Sequence, residues 1–265
     1  MLQEHTEVCL QEPYGDSPYR LLGLRAPGIA ARAAPGQFVH LRIPELHDAV
    51  LRRPFSIFRT DGERLDLLYK PVGRGTEAMR RLEPGSIADL LGPLGNGFPS
   101  PSGDRRTLLA GGGYGGAALY RLAERAPAPG DVFLGGRTDR ELVAAREFEQ
   151  LGWTVHTATE DGSAGRKGLV TDLLRDALES GSAASSEIFA CGPIGMMRAV
   201  AGLAAASACP AWVSLDRTMA CGVGACQTCV IRVVDTTRPE GWRWARCCRE
   251  GPVFEAQDVL WENPA

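Results

Sequence analysis

Three cysteines stand within nine residues of one another in MACGVGACQTCV, at Cys221, Cys226 and Cys229. Thiolates so placed can hold a metal. A C-x4-C-x2-C run with a distant fourth cysteine is the plant-type spacing for a 2Fe–2S cluster. Four thiolates and two sulfides make such a cluster negative, so its loop must gather sulfurs and turn backbone N–H groups towards them. Gly222 and Gly224 permit that tight wrap. Zinc competes, but its sites usually show paired knuckles, and here the first gap is four with no second clean pair. Cysteines that bind nothing are the third reading. The candidates for a fourth ligand are the adjacent Cys247 and Cys248 in RCCREGPVF. In an extended segment neighbouring side chains point to opposite faces, so only one would reach the cluster.

Four other runs carry residue types suited to binding. RRPFSIF, at 52–58, reads as a strand that Pro54 confines to an edge or a start. Its arginine is either plainly exposed or a phosphate ligand; the Arg53 fork can grip two oxygens while Ser56 bonds a flavin edge. VGRGT, at 72–76, is either a simple turn or a loop whose Gly73 and Gly75 free amides for a diphosphate, with the Thr76 hydroxyl beside them. GGGYGG, at 111–116, fits G-x-G-x-x-G between an apolar strand and a helical run, the context that marks a dinucleotide site. The acidic residue expected roughly 20 positions later is missing from GGRTD, which predicts an altered cofactor pose. ACGPIGMM, at 190–197, ends a strand. Cys191 is by default a small buried residue there, while Gly192–Pro193 turns where open α/β sheets place ligands.

These residues need elements to position them. Residues 1–100 hold the short β-prone runs QFVHLRI, PFSIF and RLDLLYKPV between the turns APG, EPG and GPLGNG. They predict a small antiparallel β-barrel. GFPSPSGDRR, at 97–106, reads as a linker. Over 104–212 the strands TLLA, DVFLGG, TVHTATED and EIFACGP alternate with the helical runs AALYRLAERA, RELVAAREFEQLG and GLVTDLLRDALESG. That alternation predicts an open α/β domain around a parallel sheet. The cysteine- and glycine-rich residues 213–265 predict a small C-terminal iron–sulfur domain, making the chain multi-domain.

A chain of 265 residues suffices for two or three small cores. Its net charge of −3 gives no ground for a nucleic acid or an anionic membrane as partner. No apolar run is long enough to span a bilayer, and MLQEHTEVCL lacks the basic region of a secretory leader. A cytoplasmic location is expected. Five of the eight cysteines fall between 221 and 248, which without export favours metal over disulfides.

Taken in order, PGQF at 35–38, RPFS, GRGT, GGG and CGP resemble the ferredoxin reductase-like flavoprotein family. LLYKPVGRGT, LGPLGNGF and CREGPVF resemble one branch of it, the electron-transfer subunits of NAD-linked, two-subunit dihydroorotate dehydrogenases. The resemblance covers nearly the whole chain. It implies FAD in the barrel along Arg53, Pro54, Phe55 and Ser56, beside Leu68, Tyr69 and Lys70, with Gly73, Gly75 and Thr76 at its phosphates. It implies NAD on the α/β domain near Gly112, Gly113, Cys191, Gly192 and Pro193. Similarity of CREGPVF to C-[KR]-[DE]-G-P-V-F implies Cys248 as the fourth cluster ligand, beside Cys221, Cys226 and Cys229. Ala118 departs from the proline that the family often has. TATEDG, at 157–162, lies where relatives choose between NAD and NADP. Glu160 and Asp161 would repel a 2′-phosphate, against the opposite pull of Arg166 and Lys167.

Nicotinamide exchanges two electrons as a hydride, whereas an iron–sulfur cluster passes one at a time. A flavin does both, so it has to sit between them. That relay needs no general acid or base, and no hydrolase signature is present; no catalytic residue is expected. The resemblance implies an FMN-containing dihydroorotate dehydrogenase catalytic subunit as partner, in a heterotetramer serving pyrimidine biosynthesis. Two alternatives remain at this level: an NAD(P)H reductase component feeding an oxygenase or other redox partner, and a zinc-bearing binding module on a reductase-like scaffold.

Overall fold

The computed structural model describes residues 1–44, 46, 50–181 and 183–261. Each expected span (1–100, 104–212 and 213–265) therefore includes a few positions outside the described residues. The first sheet comprises β1 (Leu2–Pro13), β2 (Arg20–Arg25), β3 (Phe38–Arg42), β4 (Arg53–Ser56), β5 (Arg59–Asp61), β6 (Arg64–Tyr69) and β7 (Ile87–Leu94). Its order is β4-β3-β7-β1-β2-β6-β5, with every neighbour antiparallel. Helix α1 (Pro27–Arg32) lies against it, and α2 (Arg74–Met79) follows β6. This is the antiparallel half of the expected architecture.

Strands β2, β3 and β6 are buried on both faces. Leu22 and Leu67 point into the barrel with Val8, Ile29 and Leu41. Their neighbours Leu21 and Leu68 point outward, into a second core shared with Leu109, Ala117 and Tyr120. A strand buried on both sides loses the in–out alternation of a half-exposed one, which explains the loose pattern of QFVHLRI.

The second sheet is doubly wound. It comprises β8 (Arg106–Gly112), β9 (Asp131–Gly136), β10 (Thr154–Thr159), β11 (Arg166–Lys167), β12 (Ser186–Cys191) and β13 (Ala211–Ser214). Helices α3 (Gly115–Arg125), α4 (Ala145–Gln150), α5 (Val170–Ser180) and α6 (Ile194–Ala206) connect these strands. The expected helix over RELVAAREFEQLG is shorter. Asp139–Glu141 forms a 3-10 turn, and Ala144 breaks the run with φ 63 so that Val143 can pack beneath α3 near Gly116.

The cysteine-rich segment grows out of this sheet and returns to it. After β13 the chain forms the hairpin β14 (Val230–Val234) and β15 (Trp242–Arg246), and β16 (Val253–Glu255) then pairs antiparallel with β13. The full order is β11-β10-β9-β8-β12-β13-β16. GPLGNGF and CREGPVF meet here: the Asn96 N–H donates to the Gly251 carbonyl (2.6 Å) and its side-chain amide to the Glu250 carbonyl (2.9 Å).

Arg121 ties α3 to the barrel. It is 1% exposed, donates to the Ala33 carbonyl (2.9 Å), and bonds the Thr60 hydroxyl. A buried acceptor that loses its donor costs about 1–3 kcal/mol. Arg121→Met should therefore lower stability by about that much, read as a reduced midpoint in urea denaturation; an unchanged midpoint would refute the role of this tie.

Candidate functional site

The reversal of strand order falls between β8 and β12, the place where an open sheet leaves a crevice at its C-terminal edge. Two loops nearly touch there. A Cβ on Gly112 would stand 2.6 Å from the Met196 sulfur and 2.8 Å from Pro193 Cδ, and one on Gly192 would stand 3.1 Å from Gly112 Cα. Only glycine allows so close an approach. The crevice beside them is a cavity of about 490 Å³, walled by Gly112, Gly113, Tyr114, Pro193 and Met196. Arg137, Glu141 and Glu160 stand on its far side, and the barrel contributes Tyr19 and Lys70. Lys70 Nζ bonds Glu141 Oε1 at 2.8 Å, and Arg137 Nη2 bonds the same oxygen at 2.6 Å. The bond from Arg137, seconded by Lys70, pulls the Glu141 carboxyl down to about 2.

A second cavity of about 250 Å³ adjoins the first. Pro54, Phe55 and Ser56 of β4 form one wall, with Leu68, Tyr69 and Lys70 of β6 beside them. Cys191 and Tyr114 close it from the nucleotide domain, and Leu215, Asp216 and Met219 from the segment entering the cysteine loop. Lys70 and Tyr114 line both cavities. The Tyr114 hydroxyl bonds the Asp216 carboxylate, and the ring is 48% exposed. Burial pushes the Cys191 thiol up to about 12, so it forms a neutral wall.

At the cavity's edge Arg53 Nε lies 3.1 Å from where a Cβ on Gly75 would be. The preceding Arg52 is committed elsewhere, to the Asp89 carbonyl (2.8 Å) and carboxylate (2.5 Å). The Thr76 hydroxyl accepts the N–H groups of Val72 (2.9 Å) and Gly73 (3.2 Å), closing its own loop.

The four candidate cysteines are free thiols lying as neighbours in two pairs, Cys226 by Cys221 and Cys248 by Cys229. Backbone N–H groups already face the sulfurs: those of Ala225 (3.3 Å) and Cys226 (3.4 Å) donate to Cys221 Sγ, and that of Cys248 to Cys229 Sγ (3.4 Å). Among the described residues no three such side chains gather at the spacing of a single metal ion. Two thiol pairs with inward amides fit a two-iron cluster, which takes four cysteines and is tuned by hydrogen bonds to sulfur. The extended geometry expected for Cys247 and Cys248 is not observed; both lie in the turn after β15. Cys247 is fully buried in the core, its N–H donating to the Cys229 carbonyl (3.1 Å), with Arg217 and Asp216 nearby.

Several lining residues carry no sequence signal. Tyr19, Glu141 and Asp216 stand in no motif, and Tyr114 is hidden as the variable position of GGGYGG. His40 is another. Its ring is fully buried against Gly222, and burial, aided by Arg52, pulls it down to about 4.

A half-barrel packed on a doubly wound sheet, with adjoining cavities and an appended cysteine loop, defines a reductase of the ferredoxin reductase-like class. The closely matching solved fold of an NADH-dependent reduced ferredoxin-NADP oxidoreductase, described for flavin-based electron bifurcation, agrees: TM-score 0.83, 28% identity, 97% of this chain and 90% of that one. The ferredoxin reductase in carbazole 1,9a-dioxygenase shares the fold at TM-score 0.66 and 23% identity, over 79% of this chain and 67% of that one. Residues 216–260 match the iron-sulfur cluster binding domain of dihydroorotate dehydrogenase B, and residues 111–202 the oxidoreductase NAD-binding domain. Dihydroorotate dehydrogenase B (NAD(+)) electron transfer subunits are similar throughout: that of Geobacillus kaustophilus is 39% identical over 97% of this chain and 98% of its own. That of Desulforamulus reducens is 38% identical over 89% and 90%. The chain belongs to this family, and its metal group is an iron–sulfur cluster rather than zinc.

Substitution distinguishes the two candidates for the fourth ligand. Cys248→Ser should abolish or strongly diminish the visible absorption of the cluster and its reduced-state paramagnetic resonance. Cys247→Ser should leave both nearly intact. The reverse pattern would give the ligand role to Cys247.

Proposed function

We propose that this chain passes electrons between NAD and the FMN of a dihydroorotate dehydrogenase catalytic subunit, with NAD in the larger cavity, FAD in the smaller, and the cluster on Cys221, Cys226, Cys229 and Cys248. One observation carries the reading: the two cavities share Lys70 and Tyr114 as a common wall, and the segment leading to the cysteines closes the smaller one. When bound, the flavin exchanges a hydride with nicotinamide and single electrons with the cluster. The residues do the holding. Phe55, Tyr69 and Leu68 offer an apolar slot for a flat ring, Ser56 a hydroxyl for its edge, and Arg53, whose Nη1 bonds the Leu51 carbonyl, places its guanidinium over Gly75 for a diphosphate.

Charge at the larger cavity supports NAD over NADP. Glu160 lines it, where a 2′-phosphate would meet like charge. The opposing Arg166 is paired to Asp176, and Arg137 to Glu141. The exposed Cys226 and the neighbouring Val223, 38% exposed, support a partner docking over the cysteine loop. The complex is read as a heterotetramer, the assembly that the family resemblance implies. Among the described residues no helix is long and apolar enough to cross a membrane, and eight free thiols favour the reducing cytoplasm.

A test follows from the absence of any acid–base pair in the relay. The isolated chain should oxidise NADH with artificial acceptors yet leave dihydroorotate untouched, and adding the FMN subunit should confer dihydroorotate oxidation. Turnover of dihydroorotate by the chain alone, at the rate of the complex, would overturn the relay. A reductase feeding an oxygenase would show the first activity and gain nothing from that subunit.

A further inference from the structure

One buried polar group has no role in the relay as described. The His40 ring is fully enclosed, and neither Nδ1 nor Nε2 has a hydrogen-bond partner. His40 sits in β3 between Pro54 of β4 and Leu91 of β7, with the Phe38 ring edge-on at 5.8 Å. Its opposite neighbour is the cysteine loop. A Cβ on Gly222 would stand 2.6–2.8 Å from Cε1, Nδ1 and Nε2 of the ring. Gly222, held at φ +70, thus lets the loop close over the imidazole. An imidazole carries a ring N–H donor in either protonation state.

A buried donor without an acceptor is costly, and native proteins rarely leave one. The cluster that the cysteine loop would hold carries sulfur acceptors. We propose that His40 donates its ring N–H to a sulfur of the bound 2Fe–2S cluster, either a bridging sulfide or the Cys221 thiolate. This rests on the cluster reading above. A donor to sulfur favours the more negative, reduced cluster and so raises its reduction potential. The barrel would then tune the group that receives electrons from the flavin, in addition to holding the flavin.

The test uses the full chain with FAD and cluster in place, labelled with 15N only in histidine. The reduced cluster should show a weak 15N coupling by pulsed paramagnetic resonance, and His40→Phe should remove it. His40→Phe should also shift the cluster potential to a more negative value, while His40→Gln, which keeps an N–H, should restore part of the shift. A normal cluster signal without 15N coupling in the unaltered chain would overturn the assignment and leave the cluster reading standing. No 2Fe–2S signal at all would instead defeat the cluster reading. If His40→Phe fails to assemble, the spectrum of the unaltered chain still decides.

Discussion

The close approach of the Gly112 and Gly192 backbones is the contact on which the rest of the structure depends. It brings the ends of β8 and β12 together without side chains between them, leaving the crevice open beside the barrel. Electron chemistry then constrains everything around it. A hydride donor and a one-electron cluster cannot trade directly, so the proposed relay sets a flavin between them, in the cavity that shares a wall with the nucleotide crevice. Tyr114 supplies that wall on the nucleotide side. Asp216, which bonds Tyr114, begins the segment that becomes the cysteine loop.

Because the relay crosses three structural regions, the chain invests in ties between them. Arg121 is buried where α3 meets the barrel, Lys70 reaches across to Glu141, and Asn96 bonds the turn that carries Cys248. The same demand buries β2 and β6 on both faces: one face fills the barrel and the other seats the nucleotide domain. Returning the C-terminus as β16 to the edge of the nucleotide sheet anchors the cysteine loop at both ends.

Much of this was legible in the sequence wherever function demands a local backbone shape. Glycine turns at 111–116 and 192, and cysteines at fixed spacing, are short-range requirements, and their order along the chain pointed to the family. Contacts between distant residues were not legible. Tyr114 and Asp216 lie 102 positions apart, and His40 meets Gly222 only after the barrel and the cysteine loop have packed together. Local expectation also failed where packing overrode it. The helix over residues 140–152 breaks at Ala144 to bury Val143, and Cys247 and Cys248 enter a turn.

The central claim is that one chain, without its partner, links a two-electron donor to a one-electron acceptor. Anaerobic titration of the purified chain with NADH, followed by flavin absorbance and by paramagnetic resonance of the cluster, tests this most directly. The account predicts that both groups become reduced in the same titration, with uptake approaching three electrons per chain, two on the flavin and one on the cluster. A flavin that reduces fully while the cluster stays oxidised throughout would contradict it.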